Sequence, residues 1–88
     1  MQIKSDFTIQ KVGNSYIAVA VGETSKTFHA MIKLNETGAF LWNQLTEKDL
    51  TVEDLTNALL AEYDVERETA QKDVQAIVEK LAENGILR

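Results

Sequence analysis

The residues able to do chemistry are few in this chain, and their spacing argues against catalysis. His29 is the single histidine, and histidine is the side chain whose ordinary pKa lies nearest neutrality. It sits in a strand-like run with no carboxylate close in sequence, the pattern of an inert, exposed imidazole. Ser5, Ser15 and Ser25 have no local base to activate them. There is no cysteine, so thiolate zinc sites, cysteine nucleophiles and disulfides are excluded. One histidine and scattered carboxylates offer no ligand spacing for a transition metal, and no calcium-binding loop is present. The glycines, Gly13, Gly22, Gly38 and Gly85, are isolated and build no phosphate loop. Glu53-Asp54 and Glu66/Glu68 pair carboxylates, but each pair also suits the positive end of a helix dipole. Trp42, among Phe40, Leu41 and Leu45, reads as core in preference to a ligand platform. The expectation is a protein that is not an enzyme and holds no metal or cofactor.

The elements that would position these residues follow from composition and period. Eighty-eight residues with 44% hydrophobic content make one domain over 1–88 with an adequate core. The formal charge is −5 and uneven. Residues 1–34 carry four lysines against Asp6 and Glu23, whereas residues 35–88 carry five basic and twelve acidic residues. That helical half repels phosphate backbones and anionic membranes, so no nucleic-acid or membrane partner is expected. No run is long and apolar enough to span a membrane, and residues at the start alternate polar and apolar without a signal-peptide core. A cytoplasmic location is the expectation.

The apolar period is near two up to Leu34 and near 3.6 after Asn35. Ile3, Phe7 and Ile9 share one parity and predict a first strand over 3–12, ending or bulging near Val12. Gly13-Asn14 fits a type II′ hairpin turn. Residues 15–21 are apolar on both parities and predict a central strand. A polar turn at 22–26 leads to a third strand over 27–34, an edge of the sheet. Asn35 is a good N-cap for a helix over 36–46, in which Gly38 and Ala39 permit close approach. Thr51-x-x-Asp54 is a capping box opening a second helix. Ala70, Val74, Ile77, Val78 and Leu81 stripe a third helix over 66–84, and Asn84-Gly85 stops it. The fold class is α+β and winged-helix-like: a three-stranded antiparallel sheet (1–34) packed on a three-helix bundle (35–88).

Two kinds of recognition remain. A winged-helix reading makes the third helix a DNA reader, but it carries Arg67, Lys72 and Lys80 against Glu66, Glu68, Asp73, Glu79 and Glu83. The open edge of the third strand offers unpaired N–H and C=O groups. An extended peptide can add there as a further strand and lie against the third helix. The same edge also permits self-association, which makes a monomer or weak dimer the expectation.

The segment Met31-Ile32-Lys33-Leu34-Asn35-Glu36-Thr37-Gly38-Ala39-Phe40-Leu41-Trp42 resembles the "x-L-N-x-T-(G/A)-x-x-(I/L)-W" signature of PqqD-like proteins. Thr51-Val52-Glu53-Asp54-Leu55 resembles their second helix. Asp73-Val74, then Leu81, then Gly85-Ile86-Leu87 resembles their ending. The resemblance spans residues 31–87. It implies a peptide chaperone, a recognition element for ribosomally made, modified peptides. Such a protein binds the leader of a precursor peptide in the groove between the third strand and third helix and delivers it to a radical S-adenosylmethionine enzyme. By position, the resemblance places Phe28, Ala30, Met31, Ile32 and Lys33 on the strand side of that groove. Asp73, Val74, Ile77, Val78 and Leu81 fall on the helix side, where Val74, Ile77 and Leu81 are equally explained as core. Ile86 stands where the pyrroloquinoline quinone members have Trp, which directs the expectation to a general member serving another modified peptide.

Overall fold

A two-residue hairpin starts the sheet. Strand β1 (Phe7–Val12) and strand β2 (Ser15–Ala20) pair antiparallel in continuous register from Phe7↔Ala20 to Val12↔Ser15. Gly13 takes φ 63° while Asn14 keeps a negative φ, the arrangement of a type II′ turn. The ladder has no bulge, so Val12 ends β1 on the outer face, where it is exposed. The first strand is shorter than its apolar parity suggests. Ile3 instead forms an isolated bridge with Leu87. The computed structural model describes residues 1–27 and 31–88.

Where the sequence predicts a plain polar turn, residues Gly22–Lys26 wind into a short 3-10 helix. Ser and Thr hydroxyls bond to nearby main chain and stabilise such turns. Ser25 Oγ donates to the Gly22 carbonyl (2.6 Å), and Thr24 Oγ1 donates to the Asp6 carboxylate. The Val21 N–H donates to the Asp6 carbonyl (2.8 Å). The Thr24 hydroxyl holds the Asp6 carboxyl below its usual pKa.

Strand β3 (Ile32–Leu34) pairs antiparallel with β2 through Ala18↔Ile32 and Tyr16↔Leu34, giving the order β1-β2-β3. Met31 lies outside the strand, so the paired segment is shorter at that point than the predicted third strand. Phe28, His29 and Ala30, part of that expected strand, lie outside the described residues. Ile32 and Leu34 are buried and Lys33 faces out, the period-two pattern of a half-covered sheet.

Helix α1 (Glu36–Glu47) is capped by Asn35, whose Oδ1 accepts from the Gly38 N–H at 2.8 Å. Its buried residues Gly38, Ala39, Leu41, Trp42 and Leu45 recur at helical spacing. Helix α2 (Val52–Glu62) has the reciprocal capping box: Asp54 N–H to Thr51 Oγ1 (3.1 Å) and Thr51 N–H to Asp54 Oδ2 (3.0 Å). Phe40 and Tyr63 join α1 to the end of α2 edge-to-face, with centroids 5.6 Å apart. Burial, then the Glu36 carboxylate, pushes the Tyr63 phenol pKa up.

Helix α3 (Arg67–Glu83) ends in a Schellman motif. Gly85 has φ 68°, its N–H reaches the Ala82 carbonyl (3.1 Å), and the Ile86 N–H reaches the Leu81 carbonyl (3.0 Å). Ile86 and Leu81 are both fully buried. The first residues then thread between helix ends. The Ile3 N–H donates to the Leu45 carbonyl (3.1 Å), Lys4 N–H to Ile86 O (3.0 Å) and Arg88 N–H to Gln2 O (2.8 Å). Trp42, 1% exposed, sits in the core shared by the sheet and the helices, as its apolar neighbours predict. No helix among the described residues is long and apolar enough to cross a membrane.

Candidate peptide-binding groove

A groove of about 480 Å³ lies between β3 and α3. Its strand side is Lys33 and Leu34, and its helix side is Asp73, Ala76, Ile77 and Lys80. Asn35 and Thr37, at the start of α1, and Asn14 and Ser15, at the hairpin, complete it.

The floor depends on Gly38. A Cβ there would stand 3.0 Å from Ile77 Cδ1 and 3.3 Å from Leu34 Cβ, both tighter than ordinary contacts. The missing side chain lets the first turn of α1 approach β3 and α3 together. The Asn35 cap serves the same junction, because its side chain fixes the turn at which strand becomes helix.

Helix α3 divides its faces cleanly. Ala70, Val74 and Leu81 are fully buried in the core. Asp73, Ala76, Ile77 and Lys80 are spaced three, one and three residues apart, so they form the adjacent stripe, which faces the groove. Val74 and Leu81 are therefore packing residues, as is Ile32 at 5% exposure. Val78 is partly buried against the core and does not line the groove. Met31 is 71% exposed beside the strand, also outside the lining. Phe28 and Ala30 lie outside the described residues. Of the residues expected at the site, the structure brings Lys33, Asp73 and Ile77 together. Sequence reasoning missed Asn14, Ser15, Leu34, Asn35, Thr37, Ala76 and Lys80 as groove residues. Only the i, i+3, i+4, i+7 relation to Asp73 and Ile77 signalled Ala76 and Lys80.

The edge itself is polar. Lys80 Nζ donates to the Lys33 carbonyl at 3.3 Å, so this carbonyl faces away from β2. In an antiparallel ladder a residue's N–H and C=O point to the same side, and Lys33 therefore turns both toward the open edge. Among the described residues, neither Lys33 nor Lys80 forms an ion pair. No cluster of three or more His, Asp or Glu side chains among the described residues is arranged to hold a metal ion.

The family model for coenzyme PQQ synthesis protein D (PqqD) matches residues 18–87. The chain belongs to the PqqD family. That match contains the second half of β2, β3 and all three helices, and so the entire groove apart from Asn14 and Ser15. Two solved structures are similar. One is "TbiB1 in Complex with the TbiA(beta) Leader Peptide", at 23% identity and a TM-score of 0.72, covering 100% of this chain and 95% of that one. The other is "Lasso peptide synthetase B1 complexed with the leader peptide", at 25% identity and a TM-score of 0.68, covering 97% and 93%. The fold is thus the α+β arrangement of three antiparallel strands and three helices that the sequence predicts. No curated protein matches the chain.

Proposed function

We propose that this protein binds the leader of a ribosomally made precursor peptide by strand addition to β3 and presents it to a modifying enzyme. The observation that carries this reading is the outward-facing main chain of Lys33, set across the groove from the Asp73–Lys80 stripe of α3. A strand added there gains main-chain hydrogen bonds on one side and side-chain contacts with Ile77 and Ala76 on the other. Both similar structures are complexes with leader peptides, and family membership supports the same role. The protein then acts as an adaptor, without chemistry of its own. Its enzyme partner is of the radical S-adenosylmethionine class, as the family resemblance implies.

Titrating isotope-labelled protein with leader segments of short peptides encoded beside its gene tests this reading. Amides of residues 32–35 and 73–80 shift on binding. Shifts confined to α2 overturn it. Co-elution of the loaded protein with a radical enzyme encoded nearby tests the partner, and the absence of a shared peak counts against it.

Reading duplex DNA through α3 fits less well. Lys72 pairs with Glu68 (3.6 Å), Arg67 bonds Asn57 Oδ1 (2.9 Å), and Lys80 bonds the Lys33 carbonyl (3.3 Å). All three cations of the helix are turned toward groups of this chain, while the helix keeps a net negative charge.

A further inference from the structure

We infer that Lys80 is both a latch on the open edge and the residue that selects an acidic side chain in the incoming strand. This inference rests on the strand-addition reading. The Lys80 ammonium bonds the Lys33 carbonyl at 3.3 Å. That carbonyl is the acceptor that an N–H of an added strand requires. Docking must therefore displace Lys80 from it. The displaced ammonium remains at the groove, beside the exposed Lys33 chain, and among the described residues no carboxylate is paired with either.

At the Lys33 carbonyl a neutral strand thus gains one hydrogen bond while Lys80 loses one. A strand carrying Asp or Glu near this point gives Lys80 a charged acceptor in exchange, and charge-assisted bonds are the stronger kind. The preference is local. Asp73 lines the same groove two helical turns before Lys80, about 10 Å along the axis. It repels a second carboxylate at that end, and the protein's charge of −5 disfavours peptides that are acidic throughout. The ligand is therefore a peptide strand with a carboxylate at one fixed position, within one residue of the position opposite Lys33.

A display library of random twelve-residue peptides tests this without knowledge of the natural ligand. Selection on the wild-type protein enriches Asp or Glu at one aligned position. Lys80→Met keeps the length of the stem and removes the ammonium. It weakens the selected acidic peptide by about two- to fivefold, the range for a partly exposed charge pair. The same variant binds that peptide's acid-to-Ala version as tightly as wild type does, or more tightly, because the latch is gone. Lys80→Glu shifts the enriched position to Lys or Arg. Loss of stability alone would weaken both peptides equally, and that result overturns the inference. So does enrichment without an acidic position, or an acidic position that survives in both variants. In those cases peptides still bind and the strand-addition reading stands. A library that yields no binder to the wild-type protein overturns both.

Discussion

Two extended segments lie against the helices of this protein, and they are finished differently. Residues 1–4 run between the end of α1 and the tail after α3. Their main chain is tied on both sides, to Leu45 on one and to Ile86 and Arg88 on the other. Ile3, at their centre, is 4% exposed. Strand β3 is tied to β2 on one side only. On the other it meets a groove, with Lys80 resting on the Lys33 carbonyl. The backbone is the same in kind, so the difference lies in what stands opposite. The closed segment is held by partners that the chain itself supplies, and the open one keeps a place for a partner that it lacks. An unsatisfied edge is a liability in a protein with no use for it. Its retention beside a floor shaped by Gly38 is what gives the binding reading its weight.

Breaking the closed side has the largest effect. Trp42→Ala removes the largest buried side chain, and large-to-small aromatic changes cost about 3–5 kcal/mol. Domains of this size have a total stability of about 5–15 kcal/mol, so chemical denaturation should show a protein near unfolding at 25 °C. Ile86→Ala, in the seal after α3, should lose about 2–4 kcal/mol. Its remaining native fraction should bind peptide with wild-type affinity, because Ile86 does not touch the groove.

The open side responds in the opposite way. Lys33→Pro removes an N–H that faces the edge and not the ladder. Proline is tolerated on such edges, so the melting temperature should move little while peptide affinity falls at least severalfold in calorimetry. If affinity holds and stability falls instead, the two sides of β3 have been assigned the wrong way round. Gly38→Ala joins both regions. The new methyl gains helix propensity but presses on Ile77 and Leu34, and overpacking of this kind costs about 1–3 kcal/mol. Denaturation should show a net loss. Affinity should fall as well, because Ile77 is pushed into the groove.

The smallest effect concerns acid. The Asp6 carboxyl is held below its usual pKa by the Thr24 hydroxyl. A carboxyl depressed in the folded state stabilises above its unfolded pKa, near 4, and that contribution is lost as pH falls through the folded value. Thr24→Val should therefore lower the melting temperature slightly at pH 7. The gap to wild type should narrow as pH falls below the unfolded value of about 4.

Much of the fold was legible because its signals are local. Gly13-Asn14 sets a turn through backbone sterics. Asn35 and the Thr51/Asp54 box satisfy orphan N–H groups a few residues away, and Gly85 supplies the left-handed residue after α3. None of these needs distant contacts. The 3-10 winding of 22–26 was missed because its tether is Asp6, on the far side of the hairpin. The first strand was drawn too long because Ile3 keeps the right parity yet pairs with Leu87, at the other end of the chain.

By itself, the sequence determined the order of elements, their caps, the change of period at Asn35 and the apolar stripe of α3. Each is a property of neighbours within one or two turns. Only the tertiary structure decided how α3 is rotated. Val74 and Leu81 turn into the core while Asp73, Ile77 and Lys80 turn to the groove, and these two sets share one helix at positions a single residue apart. Periodicity marks a stripe about 100° wide, with Val74 and Leu81 near its middle and Ile77 and Val78 at its two margins. Which margin is buried depends on the close approach of α1 at Gly38 and on the distance from Lys80 to Lys33, quantities that exist only once the chain has folded.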